Sequence, residues 1–281
     1  MEFKRYSEID EFITDVLDIL LEDEVRHNLL ISILLDNKRD TVANWLLSTV
    51  CDENGAILLI AICTPPFNLL LCKNGPVMNA EAVEFFAGEL KRIGFVPPGI
   101  IAEKDLARCF ADAYCGSSGS VWKMTMAVMK LDQLSEYKKA PGFCRMLNEK
   151  DISFAPAWEH AFCVDCKLPV YSPEESEARI KVRLGMNIHY IWEDEVPVAQ
   201  AVFGRNTPNG AAVSWVYTPP EHRGHGYATS VVAELCKAIF ASGKAFCCLF
   251  ADTANPASCK AYLNLGFYNV CEVDEIKFDM K

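Results

Sequence analysis

Apolar residues in the first part of the chain alternate between helical and strand-like spacing. They recur every three or four positions from Ile9 to Leu21, which predicts an amphipathic helix, and Ser7 and Asp10 have the spacing of a capping box at its start. A similar pattern over 25–34 predicts a second helix. The runs "NWLLSTV", "AILLIAIC", "FNLLLC" and "VWKMTMAVMKL" predict strands, and helical spacing returns over 80–93 and 103–114. Residues 1–131 are therefore expected to form one α/β domain.

A polar stretch that contains both Pro and Gly, "DQLSEYKKAPG", interrupts this pattern at 132–142 and is predicted to be a linker. The pattern restarts in "FCRML" as a strand, followed by a helix that begins near 148–151. Another helix is predicted to begin at "SPEE", because Ser172 can act as N-cap and Glu175 can complete a capping box. Gly185 is expected to end that helix. Residues 143–281 are predicted to form the second domain.

Three consecutive strands are predicted at 187–193, 196–205 and 211–218, and their short connections favour antiparallel neighbours. A helix whose apolar face includes Val231, Leu235 and Ile239 follows, then the strand "AFCCLFAD" and a short helix over 256–265. Because a helix separates "AAVSWVYT" from "AFCCLFAD", these two strands are expected to run parallel. The predicted sheet is therefore mixed.

The composition narrows the function classes. The chain has 281 residues, enough for two domains, and a formal net charge of −11 without a visible cluster of Lys or Arg, which argues against nucleic-acid binding. No apolar run approaches the ~20 residues that cross a bilayer, and the first residues lack the apolar core of a signal peptide. We expect a cytoplasmic protein that does not bind membranes.

Thirteen cysteines could suggest a disulfide framework or a metal site, but their number is odd and their spacing is scattered. His160, Cys163 and Cys166 follow each other at three-residue steps and could share a helix face. A zinc site normally needs a fourth ligand, and the sequence shows none nearby. We therefore interpret these cysteines as buried packing residues and expect no metal.

The stretch "EHRGHGYATS" at 221–230 lies between a predicted strand and a predicted helix. Gly224 and Gly226 could serve only a tight turn, or they could let a phosphate approach the free amides at the helix N-terminus. The spacing differs from a Walker loop, and Thr229 stands where a dinucleotide-binding motif has its third glycine. The glycines alone leave both interpretations open.

A longer pattern resembles the GNAT superfamily of N-acetyltransferases, in its two-domain bacterial form with a degenerate N-terminal half. The superfamily's pyrophosphate motif, Gln/Arg-x-x-Gly-x-Gly/Ala, matches 221–226, with Glu221 at the first position instead of Gln or Arg. The later stretch "NPASCKAYLNLGF" resembles a second motif, in which Asn255 precedes Tyr262 by seven residues and a Gly-Phe pair follows. The N-terminal half lacks both motifs. The resemblance implies an α/β fold of the α+β type, with two tandem GNAT-like domains that each contain a mixed, mainly antiparallel twisted sheet flanked by helices.

The same resemblance implies acetyl-CoA as co-substrate and assigns expected contacts. Main-chain groups of Val216, Tyr217 and Thr218 are expected to bind pantetheine, and Tyr262 is the expected general acid for the leaving thiolate. Loop amides are expected to bind the pyrophosphate; they belong to Arg223, Gly224, His225, Gly226, Tyr227, Ala228 and Thr229. Two further residues, Asn255 and Ser258, are expected to contact pantetheine or adenylate. No base is assigned.

The resemblance also implies an amine acceptor, either a small molecule or a peptide, whose identity the sequence does not give. The N-terminal domain is expected to shape the acceptor pocket or the quaternary structure, for example in a homo-oligomer. An acyl-CoA sensor or a scaffold without catalytic activity is the alternative, and a nucleotide- or phosphosugar-binding protein is a third. Tyr262 favours the enzyme because binding alone does not require a phenol.

Overall fold

The structure is a computed structural model that describes residues 1–35, 44–116 and 119–279. The chain divides into two compact units. The first consists of Met1–Met129, Phe250–Pro256 and Asn269–Lys281, and the second of Lys130–Leu249 and Ala257–Tyr268. The domain limits predicted from the linker remain a prediction, and the two units are described separately below.

Eight helices in the described residues are labelled α1 to α8 in chain order: Ile9–Leu21, Asn28–Leu35, Ala80–Arg92, Lys104–Cys115, Ala155–Asp165, Pro173–Met186, Tyr227–Ala241 and Pro256–Asn264. Short 3-10 helices cover Glu149–Ser153 and Pro220–His222. No helix in these described parts of the chain is long and apolar enough to cross a membrane.

Twelve strands in the same described ranges are labelled β1 to β12: Glu2–Tyr6, Leu46–Cys51, Ile57–Cys63, Leu69–Lys73, Gly99–Glu103, Ser120–Leu131, Phe143–Met146, His189–Asp194, Val196–Asn206, Gly210–Tyr217, Phe246–Asp252 and Tyr268–Phe278. Strands β1, β5 and β12 are not among the strands predicted from the sequence. Each of the other nine overlaps a predicted strand.

The sheet of the first unit has its strands in the order β1-β2-β3-β4-β5-β12-β6. Both of its faces are covered, as the side chains of β3 show. Ile60 and Ile62 pack in one core with residues of α1 and α2, whereas Leu59 and Ala61 pack in another with residues of α3 and α4. Burial on both faces explains why these strands are continuous apolar runs without alternation.

The last strand of the chain, β12, belongs to the first unit and pairs antiparallel with β5. Its Asp274 is fully buried, and the carboxylate accepts hydrogen bonds from Arg108 at 2.8 Å and from Thr125 at 2.6 Å. Charged residues within the strand obscured its apolar pattern in the sequence. Buried carboxylates of this kind are stable only when they are paired.

The second unit has the strand order β11-β10-β9-β8-β7. Its neighbours are antiparallel except for β10 and β11, which run parallel, as predicted from the intervening helix. A small core joins α5 and α6 to β8 through Ala155, Ile180 and Ile191. The mixed sheet with flanking helices confirms the predicted fold class.

Helix ends confirm some predictions and correct others. Ser172 and Glu175 form the predicted capping box of α6. Gly185 does not end that helix, because α6 continues to Met186 and Asn187 then adopts the left-handed conformation with φ of 54°. The capping box predicted at Ser7 is wrong, since α1 begins only at Ile9 and no side chain caps it. The helix expected from 148–151 is instead a 3-10 turn followed by α5.

Candidate active site

Strand β10 departs from regular geometry at its C-terminal end. Its pairing with β9 shifts between Ser214 and Tyr217, and Trp215 has a φ of 53°, which is rare for a residue with a bulky side chain. The parallel ladder with β11 covers only Gly210, Ala211 and Ala212 and then stops. Main-chain groups around Val216 are therefore outside that ladder.

The loop that follows β10 exposes the N-terminus of α7. Gly224 and Gly226 have φ of 83° and 81°, the left-handed region that glycine adopts without strain, and no side chain caps the helix. Within the described residues, the amides of Gly224, His225 and Gly226 donate no hydrogen bond. Together with the dipole of a 15-residue helix, these amides form an anion-binding arrangement.

The Arg223 side chain is engaged within the protein. Its Nε donates to the Thr218 carbonyl at 2.9 Å, and its Nη2 lies 2.6 Å from the carboxylate of Asp165 at the end of α5. The guanidinium charge is therefore already paired, and the Thr218 carbonyl is already occupied. The side chain thereby ties the loop to the end of α5 and to the residue that follows β10.

A cleft of about 1020 Å³ lies against the loop and the first turn of α7. Gly224, His225, Gly226 and Thr229 line it on one side, and Asn264 and the segment 136–142 line the remainder. Of the predicted loop residues, Tyr227 points elsewhere and donates its hydroxyl to Asp194 at 2.5 Å. The cleft confirms an open space at the loop, while its ligand stays a prediction.

The segment 136–142 was predicted to be only a linker, yet it forms a wall of this cleft. Hydrogen bonds hold it in place: the Ala140 amide donates to Ser230 at 2.8 Å, and the Trp192 indole donates to the Pro141 carbonyl at 2.7 Å. Lys138 and Lys139 lie on the wall, and neither forms an ion pair within the described residues. The adjacent lysines in "KKAPG" were the available sequence signal.

Comparison with known proteins bears on the fold of this region. Residues 195–275 match the family model of FR47-like proteins, which covers the bulged strand, the glycine loop and α8. The comparison with curated proteins gave no match.

Three solved structures are similar over nearly the whole chain. A GNAT-family acetyltransferase from Colwellia psychrerythraea aligns with a TM-score of 0.64 at 11% identity, covering 99% of this chain and 100% of that one. A GCN5-related N-acetyltransferase from Sphaerobacter thermophilus gives 0.64 at 11%, covering 99% and 96%. A tandem GNAT protein from the clavulanic acid biosynthesis pathway gives 0.59 at 12%, covering 100% and 99%. The chain has the two-domain GNAT fold. The predicted architecture is thereby confirmed.

Tyr262, the general acid expected for a GNAT enzyme, is buried in α8 with its ring edge-on to Phe267 at 5.9 Å. Burial raises the pKa of its phenol far above the ordinary value, and a hydrogen bond with Ser258 opposes that effect only in part. The phenol therefore stays protonated throughout the neutral range. Position 266, shortly after Tyr262, requires a glycine, because a Cβ there would lie only 2.7 Å from the Ser135 hydroxyl oxygen.

The last predicted contact, Asn255, lies in the first unit, directly before α8. Its side chain is exposed, and its amide donates to the Asp252 carbonyl at 3.0 Å. Ser258 is half-buried in the first turns of α8. Their predicted contacts with the adenylate or pantetheine remain predictions.

The last turn of α5 contacts several parts of the site. Phe162 packs on Trp215 at 4.8 Å between ring centres, and Asp165 pairs with Arg223 of the glycine loop. Cys166 is close enough to Tyr262 to raise the pKa of its phenol electrostatically. This helix end therefore links the bulged strand, the glycine loop and the candidate acid.

Most side chains that could act as a base are hydrogen-bonded or ion-paired, although the buried Nδ1 of His189 has no hydrogen-bond partner within the described residues. His189 is buried, and desolvation, with the nearby Arg183 guanidinium, lowers its pKa to about 4, so that it is neutral near pH 7. Its Nε2 lies 3.1 Å from Gln200 Oε1, and the Gln200 amide donates to the Trp215 carbonyl at 3.4 Å. Asp194 accepts from Tyr227, and Glu193 is paired with Arg145. No base is assigned among them.

The possible cluster of His160, Cys163 and Cys166 does not share one environment. Cys163 is buried, whereas His160 is exposed to solvent. In the described residues no group of three His, Cys, Asp or Glu side chains could hold a metal ion. None of the thirteen cysteines, all of which lie in described parts of the chain, forms a disulfide, and none is fully exposed.

Proposed function

We propose that the protein is an acyl-CoA-dependent N-acyltransferase that transfers an acetyl group from acetyl-CoA to a primary amine. The observation that carries this proposal is the open N-terminus of α7, with free loop amides facing a large cleft directly after a bulged strand. A turn that served only the fold would not require this space. The similarity to GNAT acetyltransferase structures supports the same chemistry.

In this proposal the loop amides and the α7 dipole bind the pyrophosphate, and main-chain groups around Val216 bind the pantetheine arm. The amine nitrogen attacks the thioester carbon directly, so that a C–N bond forms and the C–S bond breaks. Tyr262 donates its proton to the departing thiolate, and the proton lost by the amine restores the phenol through solvent. An N–H at the bulge near Trp215 stabilises the negative charge on the oxygen.

Isothermal titration calorimetry with acetyl-CoA tests the loop assignment. Gly224→Glu combines a strained left-handed φ with a negative charge at the anion site, and we expect binding to weaken by on the order of 100-fold. Gly55→Glu is the matched control, because Gly55 also has a φ of 83° and no neighbour within 4 Å of the added Cβ, but lies in a turn of the first unit.

Equal affinity of Gly224→Glu and the parent protein would contradict the loop assignment. Thiol release from acetyl-CoA, measured against a panel of amines, then tests the chemistry. Tight binding of acetyl-CoA without thiol release for any amine would contradict the enzyme and favour an acyl-CoA sensor.

A further inference from the structure

A buried charge cluster lies between α5, α6 and β10 in the second unit. Glu159 is fully buried, and its Oε1 accepts hydrogen bonds from Arg179 Nε at 2.7 Å and from Arg183 Nη2 at 3.1 Å. Two guanidinium groups thus share one carboxylate, which leaves a net charge of about +1. Since the whole chain carries −11, this local excess of positive charge requires an explanation.

Aromatic rings hold the two guanidinium groups in place. Arg183 lies over the Trp215 ring at 4.3 Å, and Arg179 lies over Tyr171 at 4.2 Å and over Trp215 at 5.4 Å. Arg183 is nearly inaccessible, while the Arg179 side chain is 38% exposed. Within the described residues Arg179 donates a hydrogen bond through Nε alone, so that its two terminal nitrogens have no hydrogen-bond partner there.

This cluster lies next to the proposed reaction site. Trp215, which both arginines contact, is the residue with positive φ in the bulge of β10 and directly precedes Val216. The last turn of α5 joins Trp215 to Tyr262, as described above. An acceptor whose amine reached the thioester would therefore have its remaining groups near Arg179.

We infer that the acceptor amine carries a carboxylate, as an amino acid does, and that Arg179 binds this carboxylate. A guanidinium that is fixed in plane and has two free terminal nitrogens matches a carboxylate in a bidentate arrangement. A carboxylate would also neutralise the excess charge of the cluster, whereas a polyamine or another cationic acceptor would add to it. This inference rests on the proposed function and names its substrate class.

The test compares each amino acid with its own amide, which keeps the amine but lacks the carboxylate. Thiol release from acetyl-CoA is expected to give a kcat/KM about 10- to 100-fold higher for the preferred amino acid than for its amide. Arg179→Gln is expected to reduce this ratio to near one, mainly through KM of the acceptor, with the KM of acetyl-CoA unchanged. Arg179→Lys retains the charge but not the bidentate geometry and is expected to give an intermediate ratio.

Lys181→Gln is the control, because Lys181 is an exposed cation on the same helix and its ion pair in the described part of the chain is with Glu177. It is expected to leave the ratio unchanged. Thermal melting of each variant tests whether the fold is retained. Aminoalkyl phosphonates replace the carboxylate with another anion, and a preference for them over amino acids would overturn the carboxylate assignment.

Equal activity on amino acids and their amides would overturn the inference while leaving the N-acyltransferase intact. An unchanged ratio in Arg179→Gln would also overturn it. If no amine is acylated, calorimetry of the amino acids and amides in the presence of CoA decides the question through binding alone. If no amino acid binds in the presence of CoA, the inference is contradicted. If acetyl-CoA itself does not bind, the proposed function is contradicted, which is a separate result.

Discussion

Each unit of the molecule contains a strand, a helix and a parallel strand in succession, and the two copies differ where the helix begins. In the first unit this segment is β4-α3-β5, and in the second it is β10-α7-β11. The Asn79 side chain accepts a hydrogen bond from the Ala82 amide at 3.0 Å and caps α3. No side chain caps α7, whose amides face the cleft. The N-terminus of α3 is thus capped by a side chain, and the N-terminus of α7 is not.

The first strands of the two segments also differ: β4 is regular, and β10 is irregular. Strand β4 pairs with β3 in regular register from Leu70 to Lys73, whereas β10 is bulged around Trp215. Near the end of β4, Lys73 and Arg26 each approach the Glu103 carboxylate at 2.8 Å. The cavity that Arg26 and Glu103 help to line measures only about 30 Å³, against about 1020 Å³ at the loop of the second unit.

We interpret this difference as a binding site in the second unit that the first unit, with the same topology, does not have. A capped helix, a regular strand and an ion pair are each ordinary stabilising features. An uncapped helix and a bulge with a positive φ cost stability and persist where a ligand uses them. We expect the first unit to serve packing or assembly, and acetyl-CoA to bind the second unit alone.

The largest effect is expected from Tyr262→Phe in the second unit. Loss of the phenol proton is expected to lower kcat by about 100-fold while acetyl-CoA binding is retained, since general acid catalysis typically contributes 10²- to 10⁴-fold. Steady-state kinetics and calorimetry measure the two effects separately.

Tyr114→Phe in the first unit is the matched control for this prediction. Tyr114 is likewise a buried tyrosine in the helix that follows the parallel strand, but its hydroxyl donates to the Phe95 carbonyl at 3.0 Å. We expect it to cost about 1 kcal/mol of stability and to leave kcat unchanged. An equal loss of kcat in both variants would remove Tyr262 from its proposed role.

A smaller effect is expected from the lysines of the cleft wall. The double variant Lys138→Ala/Lys139→Ala is expected to weaken acetyl-CoA binding by about 10-fold and to reduce its dependence on salt, because two cations near the phosphates are lost. Calorimetry at 50 and 300 mM NaCl measures both changes. Lys150→Ala/Lys181→Ala removes the same charge from exposed positions outside the cleft and should behave like the parent.

If the two double variants weaken binding equally, the lysines act only through the net charge of the protein and do not contact the ligand. A loss confined to the cleft variant at both salt concentrations would indicate direct contact instead. In either case we expect binding through the loop amides to persist, since those groups are part of the backbone.

The sequence predicted the second unit better than the first for a physical reason. Its motif residues Gly224 and Gly226 are needed for backbone conformation, and such requirements are visible in single residues. Strand β12 was missed because buried Asp274 and Glu275 are satisfied by partners far away in the chain. The cleft wall at 136–142 was missed for a similar reason, since its anchors Ser230 and Trp192 are distant in sequence.

The charge cluster around Glu159 could not be predicted from the sequence either. Arg179 and Arg183 are one helical turn apart, which is ordinary for an exposed helix face. Only the fold brings Glu159 from α5 and Trp215 from β10 against that face. Local patterns thus predict elements and backbone motifs, while sites built from several elements depend on tertiary contacts.

The smallest effect is expected from removing the cap of the first unit. Asn79→Ala leaves the first amides of α3 without their side-chain acceptor and is expected to lower the free energy of unfolding by about 1 kcal/mol. Asn79→Asp retains an acceptor and should restore that stability, as measured by chemical denaturation. Calorimetry of Asn79→Ala should still give one acetyl-CoA per chain, because the Lys73, Glu103 and Arg26 side chains still occupy the space beside β4. Binding of a second acetyl-CoA would mean that the Asn79 cap alone prevents the first unit from binding acetyl-CoA.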